Sequence, residues 1–158
     1  MTNHESPHDD FPAQGRLAGV DFGTVRIGLA VCDPDRRLAS PYEIYQPRNR
    51  AADAEYFRQF VREERIVGFV VGLPVHTSGE ESQKSAEARA FGQWLHQVTG
   101  RPIRYYDERY TSVLAEQSLL AARLTRKRRK QRLDKVAAQL ILAAYLEGTP
   151  QGQPESLF

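Results

Sequence analysis

Short apolar runs alternate with polar turns at the start of the chain. Runs over 17–22, 26–32 and 38–45 have the character of strands, and Gly23, between the first two, is free to adopt the positive φ of a tight turn. These runs predict three consecutive antiparallel strands. Pro41 cannot donate a ladder hydrogen bond, so we expect the third strand at an edge of the sheet.

The remainder of the chain alternates between helical and strand patterns. A capping box at Ser78 and Glu81 predicts the start of the second of four helices, and Gly100 predicts its end. The predicted elements in this part are a helix over about 50–64, a strand over 66–71, a helix from Ser78, a strand over 103–107, a helix from Thr111 to about Ala122 and a helix over about 131–147. The fold class is therefore α/β, with a mixed five-stranded sheet that begins antiparallel, continues parallel and is flanked by helices.

Length and composition indicate a single domain with two short tails. The chain has 158 residues, of which 41% are hydrophobic and 27% charged, values that exclude a globally disordered or collagen-like protein. Residues 1–15 lack periodicity and are predicted to be a disordered tail, 16–148 to be the domain, and 149–158 to be a C-terminal tail. We expect either a monomer or a homodimer.

Several features favour a cytoplasmic protein without a membrane partner. The longest apolar stretch, 136–146, is shorter than the roughly 20 residues that cross a bilayer. The first residues are polar and acidic, whereas a secretory signal needs a basic start and an apolar run. The single cysteine, Cys32, excludes an intramolecular disulfide, which fits a reducing compartment.

Positive charge is concentrated in one short segment. Residues 123–135 contain eight basic residues and one acid, and the rest of the chain holds 14 basic and 19 acidic residues, a net charge of −5. Such a strip on an acidic body predicts a polyanionic partner, with a solvated charge run as the alternative. Because its residues have no apolar spacing, we expect the strip to be irregular and mobile before the last helix. The predicted nucleic-acid-binding residues are Arg126, Lys127, Arg128, Arg129, Lys130 and Arg132.

Acidic residues stand where a ligand of an α/β sheet is expected, at the carboxyl ends of strands. Asp21 ends the first strand and the pair Asp107 and Glu108 ends the last, whereas Asp134 begins the predicted buried stripe of the final helix. A shared Mg²⁺ or Mn²⁺ ion would offset the repulsion among such acids, and a pair of ions can support phosphodiester cleavage. Each acid also has a structural explanation: a turn for Asp21, pairing with Arg109 for Glu108, and the helix dipole for Asp134.

Four segments resemble the YqgF/RuvX family. They are GVDFGTVRIGLAV at 19–31, VVGLP at 70–74, DERYTS at 107–112 and LTRKRRKQRLDKVAAQLIL at 124–142. The loop HTSGEE at 76–81 departs modestly from the Asn and Asp-Gly residues that are more usual there. The first segment alone also resembles the phosphate-binding hairpin of sugar kinases and actin-like ATPases, but those proteins need two lobes and 158 residues supply one.

The resemblance implies an RNase H-like fold and a nuclease that uses Mg²⁺ or Mn²⁺. Asp21, Glu108 and Asp134 match the family's catalytic and metal-binding acids, and Asp107 is the alternative to Glu108. Arg26 and Arg109 are auxiliary candidates, either for the scissile phosphate or for pairing with carboxylates. The family's names imply two substrates, the 5′ end of pre-16S rRNA during ribosome biogenesis or a Holliday junction in recombination and repair. A non-catalytic RNA-binding module is the third alternative.

Overall fold

The computed structural model describes residues 11–74, 82–108 and 126–148, and over 126–135 it describes the backbone only. The elements are β1 (Arg16–Asp21), β2 (Ile27–Cys32), β3 (Ala39–Tyr45), α1 (Arg50–Glu64), β4 (Ile66–Leu73), α2 (Gln83–Thr99), β5 (Ile103–Asp107) and α3 (Arg126–Gly148). The helix predicted from Thr111 lies outside the described residues. No helix in the described ranges is both long and apolar enough to cross a membrane.

The five strands form one mixed sheet in the order β3-β2-β1-β4-β5. The pairs β1–β2 and β2–β3 are antiparallel, whereas β1–β4 and β4–β5 are parallel, which confirms the predicted architecture. The strand that carries Pro41 is an edge strand, as expected. The register of β2 with β3 shifts between Leu29 and Ala30, and Ala30 then stands opposite Pro41, so the irregularity accommodates the residue that lacks a donor.

Helices cover both faces of the sheet. On one face, α1 and α2 pack over a core rich in aromatic residues that includes Phe57, Phe60 and Phe69. On the other face, α3 packs over smaller residues such as Ala30, Cys32 and Ala39. The predicted buried stripe of the last helix is confirmed at Ala138, Ile141 and Tyr145, which are all buried; the side chain of the fourth member, Asp134, lies outside the description.

The turn between β1 and β2 differs from the expectation. Gly23 does not have a positive φ; among the described glycines, only Gly15 and Gly100 do. A Cβ on Gly23 would instead lie 2.6 Å from the carbonyl oxygen of Arg26. Glycine is thus required here because the backbone passes close to itself, and not because of the turn's dihedral angle.

The second helix begins later than the capping box at Ser78 and Glu81 predicts. Its N-cap is Ser82, whose Oγ accepts the backbone N–H of Ser85 and also donates to the Pro74 carbonyl oxygen. Ser78 and Glu81 lie outside the described residues. The contact with Pro74 joins the cap to the end of β4, a tertiary constraint that a local sequence pattern does not contain.

The last helix begins earlier than predicted, at Arg126 instead of about residue 131. The expectation of an irregular basic strip is therefore wrong for 126–132, which forms the first turns of α3. Arg, Lys and Gln are good helix formers, and like charges four residues apart cost only a few tenths of a kcal/mol. The tertiary packing of the following apolar turns is sufficient to keep the whole segment helical.

Residues 11–15, which we expected to belong to the N-terminal tail, contact the core. Phe11 packs edge-on against Tyr145, with ring centroids 6.1 Å apart, and the Arg104 guanidinium lies 4.8 Å from the Phe11 ring centre. The Arg36 side chain donates to the carbonyl oxygens of Pro12 and Gly15. These contacts attach the segment before β1 to the face covered by α3.

Candidate active site at the carboxyl edge of the sheet

Glu108 lies directly over Gly72. Its backbone N–H donates to the Leu73 carbonyl oxygen at 3.0 Å, which continues the β4–β5 pairing one residue past β5. A Cβ on Gly72 would lie 2.6 Å from Glu108 Oε2 and equally close to Ile141 Cδ1 on α3. The absence of a side chain at Gly72 therefore makes the space in which the carboxylate sits between the sheet and α3.

Asp21 lies beside this carboxylate at the end of the neighbouring strand. In the parallel pairing of β1 with β4, Val20 stands opposite Val71, and Asp21 and Gly72 are the next residues of the two strands. The pKa of Glu108 is raised from 4.5 to about 7, mainly by burial and in addition by the negative charges of Asp21 and then Asp107. The structure thus brings two of the three predicted acids together in a half-buried environment.

Asp107 has a weaker connection to the site. It is the last residue of β5 and stands opposite Leu73, and its charge is the last of the three causes that raise the pKa of Glu108. Glu108, and not Asp107, occupies the space over Gly72. This geometry favours Glu108 as the functional acid, in agreement with the sequence-based preference, although the role itself stays a prediction.

The backbone of α3 approaches β1 next to Asp21. A Cβ on Gly19 would lie 2.7 Å from the Ala138 carbonyl oxygen and 2.8 Å from Leu142 Cβ, so only glycine permits this contact. Asp21 follows Gly19 by two residues and therefore lies on the same face of β1. Asp134 precedes Ala138 by four residues, about one helical turn, and its side chain lies outside the description.

The structure describes only some of the other predicted site residues. Arg26 is exposed just before β2, on the turn that follows Asp21. Arg109 lies outside the described residues, as do the side chains of Arg126, Lys127, Arg128, Arg129, Lys130 and Arg132. Among the side chains that are described, no group of three or more Asp, Glu, His or Cys residues is placed to hold a metal ion.

Two glycines that shape the site were not predicted from the sequence. Gly72 accommodates Glu108, and Gly19 allows α3 to approach the strand that carries Asp21. Each interrupts a run of apolar strand residues, and a glycine inside a strand indicates that another group approaches closely. That signal is present in the sequence, but it does not say which group approaches.

Comparison with known proteins shows the family of the chain. The sequence profile of the RuvX family, described as Holliday junction resolvase, matches residues 15–148. A protein of Rhodopirellula baltica named "Putative pre-16S rRNA nuclease" is 51% identical over 146 residues, which cover 92% of this chain and 84% of that protein. A protein of the same name from Rhodobacter capsulatus is 41% identical, covering 88% of this chain and 90% of that one.

A solved structure resembles the fold at low sequence identity. It is the RuvC protein of T. thermophilus in complex with a Holliday junction substrate, with a TM-score of 0.53 and 17% identity over 85% of this chain and 96% of that one. At this identity the likeness shows the fold alone. The fold class predicted from the sequence, RNase H-like, is confirmed.

Proposed function

The chain belongs to the RuvX family, and from this premise we propose that it is a metal-dependent nuclease that hydrolyses phosphodiester bonds at the 5′ end of pre-16S rRNA. The substrate is the part of the proposal taken from the names of the relatives. Cytoplasmic action is also part of the proposal, in keeping with a single cysteine whose thiol is buried.

The observation that carries the proposal is the pair of carboxylates at the carboxyl edge of the sheet. Removing two like charges from water next to each other costs free energy, and the raised pKa of Glu108 is the sign of that cost. A fold without need of these acids would gain from an amide or an apolar residue at position 108. Two carboxylates that lie side by side at this edge therefore support the proposal of a cation bound to both.

The donor set fits a hard divalent cation. Asp21 and Glu108 supply carboxylate oxygens, the ligands that Mg²⁺ and Mn²⁺ prefer, and Asp134 is our proposed third ligand. When bound, such an ion activates water for attack on phosphorus and stabilises the leaving oxygen. The contact of Gly19 with Ala138 fixes the distance between α3 and β1. It therefore positions the helix that carries Asp134.

The basic residues at the start of α3 are proposed to hold the substrate. Residues 126–132 form the first turns of the helix on which Asp134 lies, so a phosphate backbone bound there runs close to the acids. Contacts with phosphates position a nucleic acid without selecting its sequence or distinguishing RNA from DNA. Selection of the substrate must therefore come from its shape or from contacts with its bases.

A direct comparison of substrates tests the proposal. Purified protein is incubated with a pre-16S rRNA fragment that carries the unprocessed 5′ end and, separately, with a four-way DNA junction, each with Mn²⁺ or with a chelator. We expect cleavage of the RNA only with the metal. Preferential cleavage of the junction would instead support the resolvase function, which the description of the family favours.

A matched pair of variants tests the site. Loss of a group that only supports a metal ligand costs roughly 10- to 100-fold in activity. Asp21→Asn changes a proposed ligand itself and should therefore lower cleavage by more than this. RNA binding should be retained. Asp35→Asn makes the same chemical change at an exposed acid outside the site and should have no effect. RNA binding without metal-dependent cleavage by the unmodified protein would favour the non-catalytic RNA-binding module.

A further inference from the structure

A cleft of about 430 Å³ opens on the face of the sheet opposite the carboxylates. It lies between the β1–β2 turn and the helices α1 and α2. Its apolar wall consists of Phe22, Phe91 and Trp94, and its charged residues are Arg50, Asp53 and Glu87. Nothing in the proposed cleavage reaction uses these residues. The volume is in the range of about 300–1,000 Å³ that is typical of small-molecule sites.

The three aromatic rings form a stacked array. The rings of Phe22 and Phe91 stack with centroids 4.7 Å apart and an interplanar angle of 24°, and Phe91 and Trp94 follow at 5.6 Å and 36°. All three side chains are only half-buried, so part of this array faces the cleft. A partly exposed ring of such an array favours a planar aromatic ligand, because a nucleobase can extend the stack.

The charged groups select against a phosphate. Two of the three are carboxylates, which repel an anion and accept hydrogen bonds from N–H donors. The Asp53 carboxylate is fixed in place, because its Oδ1 accepts the Tyr45 hydroxyl and the backbone N–H of Arg48. Its Oδ2 takes part in neither bond. Among the nucleobases, guanine presents two adjacent N–H donors on its pairing edge and matches a carboxylate best.

The cleft is joined to the active-site edge by the β1–β2 turn. Phe22 follows Asp21 directly, and successive strand residues point to opposite faces of a sheet. Phe22 packs on the side of α1 and α2, whereas Asp21 lies beside Glu108 on the side of α3. A strand that passes over the turn therefore has its phosphate near Asp21 and an unstacked neighbouring base next to Phe22.

We propose that this cleft is a nucleobase subsite that takes an unpaired base, preferentially guanine, next to the scissile phosphate. The inference deepens the proposed function and rests on it for the source of the base. A free guanine nucleotide has the same chemistry and is the second source. In either case the ligand extends the aromatic stack of Phe22, Phe91 and Trp94 and directs its N–H groups to the acidic side of the cleft.

The chain contains one tryptophan, so intrinsic fluorescence reports on this cleft. The Asp21→Asn protein is titrated with a short RNA that has one guanine among uracils, with the same RNA carrying an abasic site at the guanine, and with GMP. We expect the guanine RNA to quench Trp94 and the abasic RNA not to do so. Quenching by GMP alone would assign the site to a free nucleotide, which still supports a nucleobase subsite.

Two variants separate stacking from a general effect on the surface. Phe22→Leu keeps an apolar side chain but removes one ring, and binding of the guanine RNA should weaken about tenfold relative to the parent. Tyr42→Leu removes a ring of comparable exposure on β3, away from the cleft, and should leave binding unchanged. Equal effects of the two variants would overturn the proposal.

The cleavage assay on unmodified protein tests the proposed function separately from the nucleobase subsite. Metal-dependent cleavage together with unchanged Trp94 fluorescence in the presence of both RNA and GMP would overturn the subsite and leave the proposed function standing. Quenching that depends on guanine, in a protein that cleaves neither RNA nor DNA, would support the subsite and contradict the proposed function.

Discussion

The two faces of the sheet are packed in different ways. The face under α1 and α2 is filled by large aromatic side chains, in which Phe57 contacts Tyr45, Phe91 and Trp94. The face under α3 combines small residues with larger ones such as Leu17 and Val70, and the helix backbone itself reaches the sheet at Gly19. Packing under α1 and α2 buries apolar surface area. Packing under α3 also fixes the distance between this helix and the strands β1 and β4.

This difference explains where the acids lie. An aromatic core tolerates small adjustments, because side chains can shift to fill the space, but contact between backbones cannot be adjusted in that way. Glu108 occupies a space defined by Gly72 and Ile141 on the closely packed face. We therefore expect substitutions in the buried core under α1 and α2, outside the cleft lined by Phe22, Phe91 and Trp94, to change mainly stability, and substitutions under α3 to change activity as well.

Truncation of the aromatic core should have the largest effect on stability. Phe57 is fully buried, and Phe57→Ala should lower the free energy of unfolding by about 3–5 kcal/mol because it leaves a cavity. The change is measured by urea denaturation, followed through Trp94, whose ring lies 6.1 Å from that of Phe57. Cleavage per folded molecule should change less than stability, because Phe57 reaches the cleft only through its contacts with Phe91 and Trp94. A loss of activity larger than the loss of folded protein would show that the two faces are not independent.

The pH dependence of stability should identify the strained acid on the other face. The pKa of Glu108 is raised from 4.5 to about 7, so the folded protein favours the protonated form, and stability falls as pH rises through this interval. Without metal the loss is about 3 kcal/mol between pH 4.5 and 7. Glu108→Gln should abolish this loss in urea denaturation with a chelator present. Equal pH profiles of parent and variant would contradict the assigned pKa.

Added Mn²⁺ extends the same measurement. A cation bound to Glu108 replaces the proton, so its affinity should rise as pH increases through about 7. The stabilisation of the parent by Mn²⁺ should therefore be larger at pH 8 than at pH 5.5, and the Glu108→Gln variant should lose most of it. Stabilisation of both proteins to the same extent would place the metal elsewhere.

The close approach of α3 can be tested with one added methyl group. In Gly19→Ala the new Cβ would lie 2.7 Å from a backbone oxygen, so α3 must move, at a cost of about 1–3 kcal/mol, and cleavage should fall with it. Gly68→Ala is the matched control on the same face. Its Cβ would meet the side chains of Phe11 and Leu17 at 3.0 and 3.2 Å, and these can rearrange. Similar losses of activity in both variants would reject the positioning role of Gly19.

The strands and the approach of Asp21 to Glu108 were predictable because they follow from the order of apolar runs. Parallel strands have their carboxyl ends at the same edge of a sheet, and this is sufficient to bring the two residues near each other. The contact of Glu108 with Gly72 depends on the register of β5 against β4, which no local pattern specifies. The predicted positive φ of Gly23 was wrong for a related reason. A turn with a positive φ and a close backbone contact both require glycine, and the sequence does not distinguish between them.

The helix starts were harder to predict than the helices themselves. For α2, the capping-box pattern of a serine with a glutamate three residues later predicted Ser78 as the start. The structure selects Ser82, which also contacts Pro74 at the end of β4. For α3, charge density was a poor guide, because helix propensity and the packing of Ala138, Ile141 and Leu142 outweigh the weak repulsion between like charges.

The smallest predicted effect concerns a polar group in the aromatic face. Ser85 is fully buried, and its Oγ has no hydrogen-bond partner among the residues that the structure describes. Ser85→Ala removes the unsatisfied hydroxyl and raises helix propensity, so the free energy of unfolding should increase by about 1 kcal/mol. Ser82→Ala, three residues earlier, removes the cap of the same helix and should decrease it by about 1 kcal/mol. Opposite signs in these two serine-to-alanine variants, measured by thermal denaturation, are the expected result. A destabilised Ser85→Ala protein would mean that the hydroxyl has a partner, and the face under α1 and α2 would then contain a specific polar contact of its own.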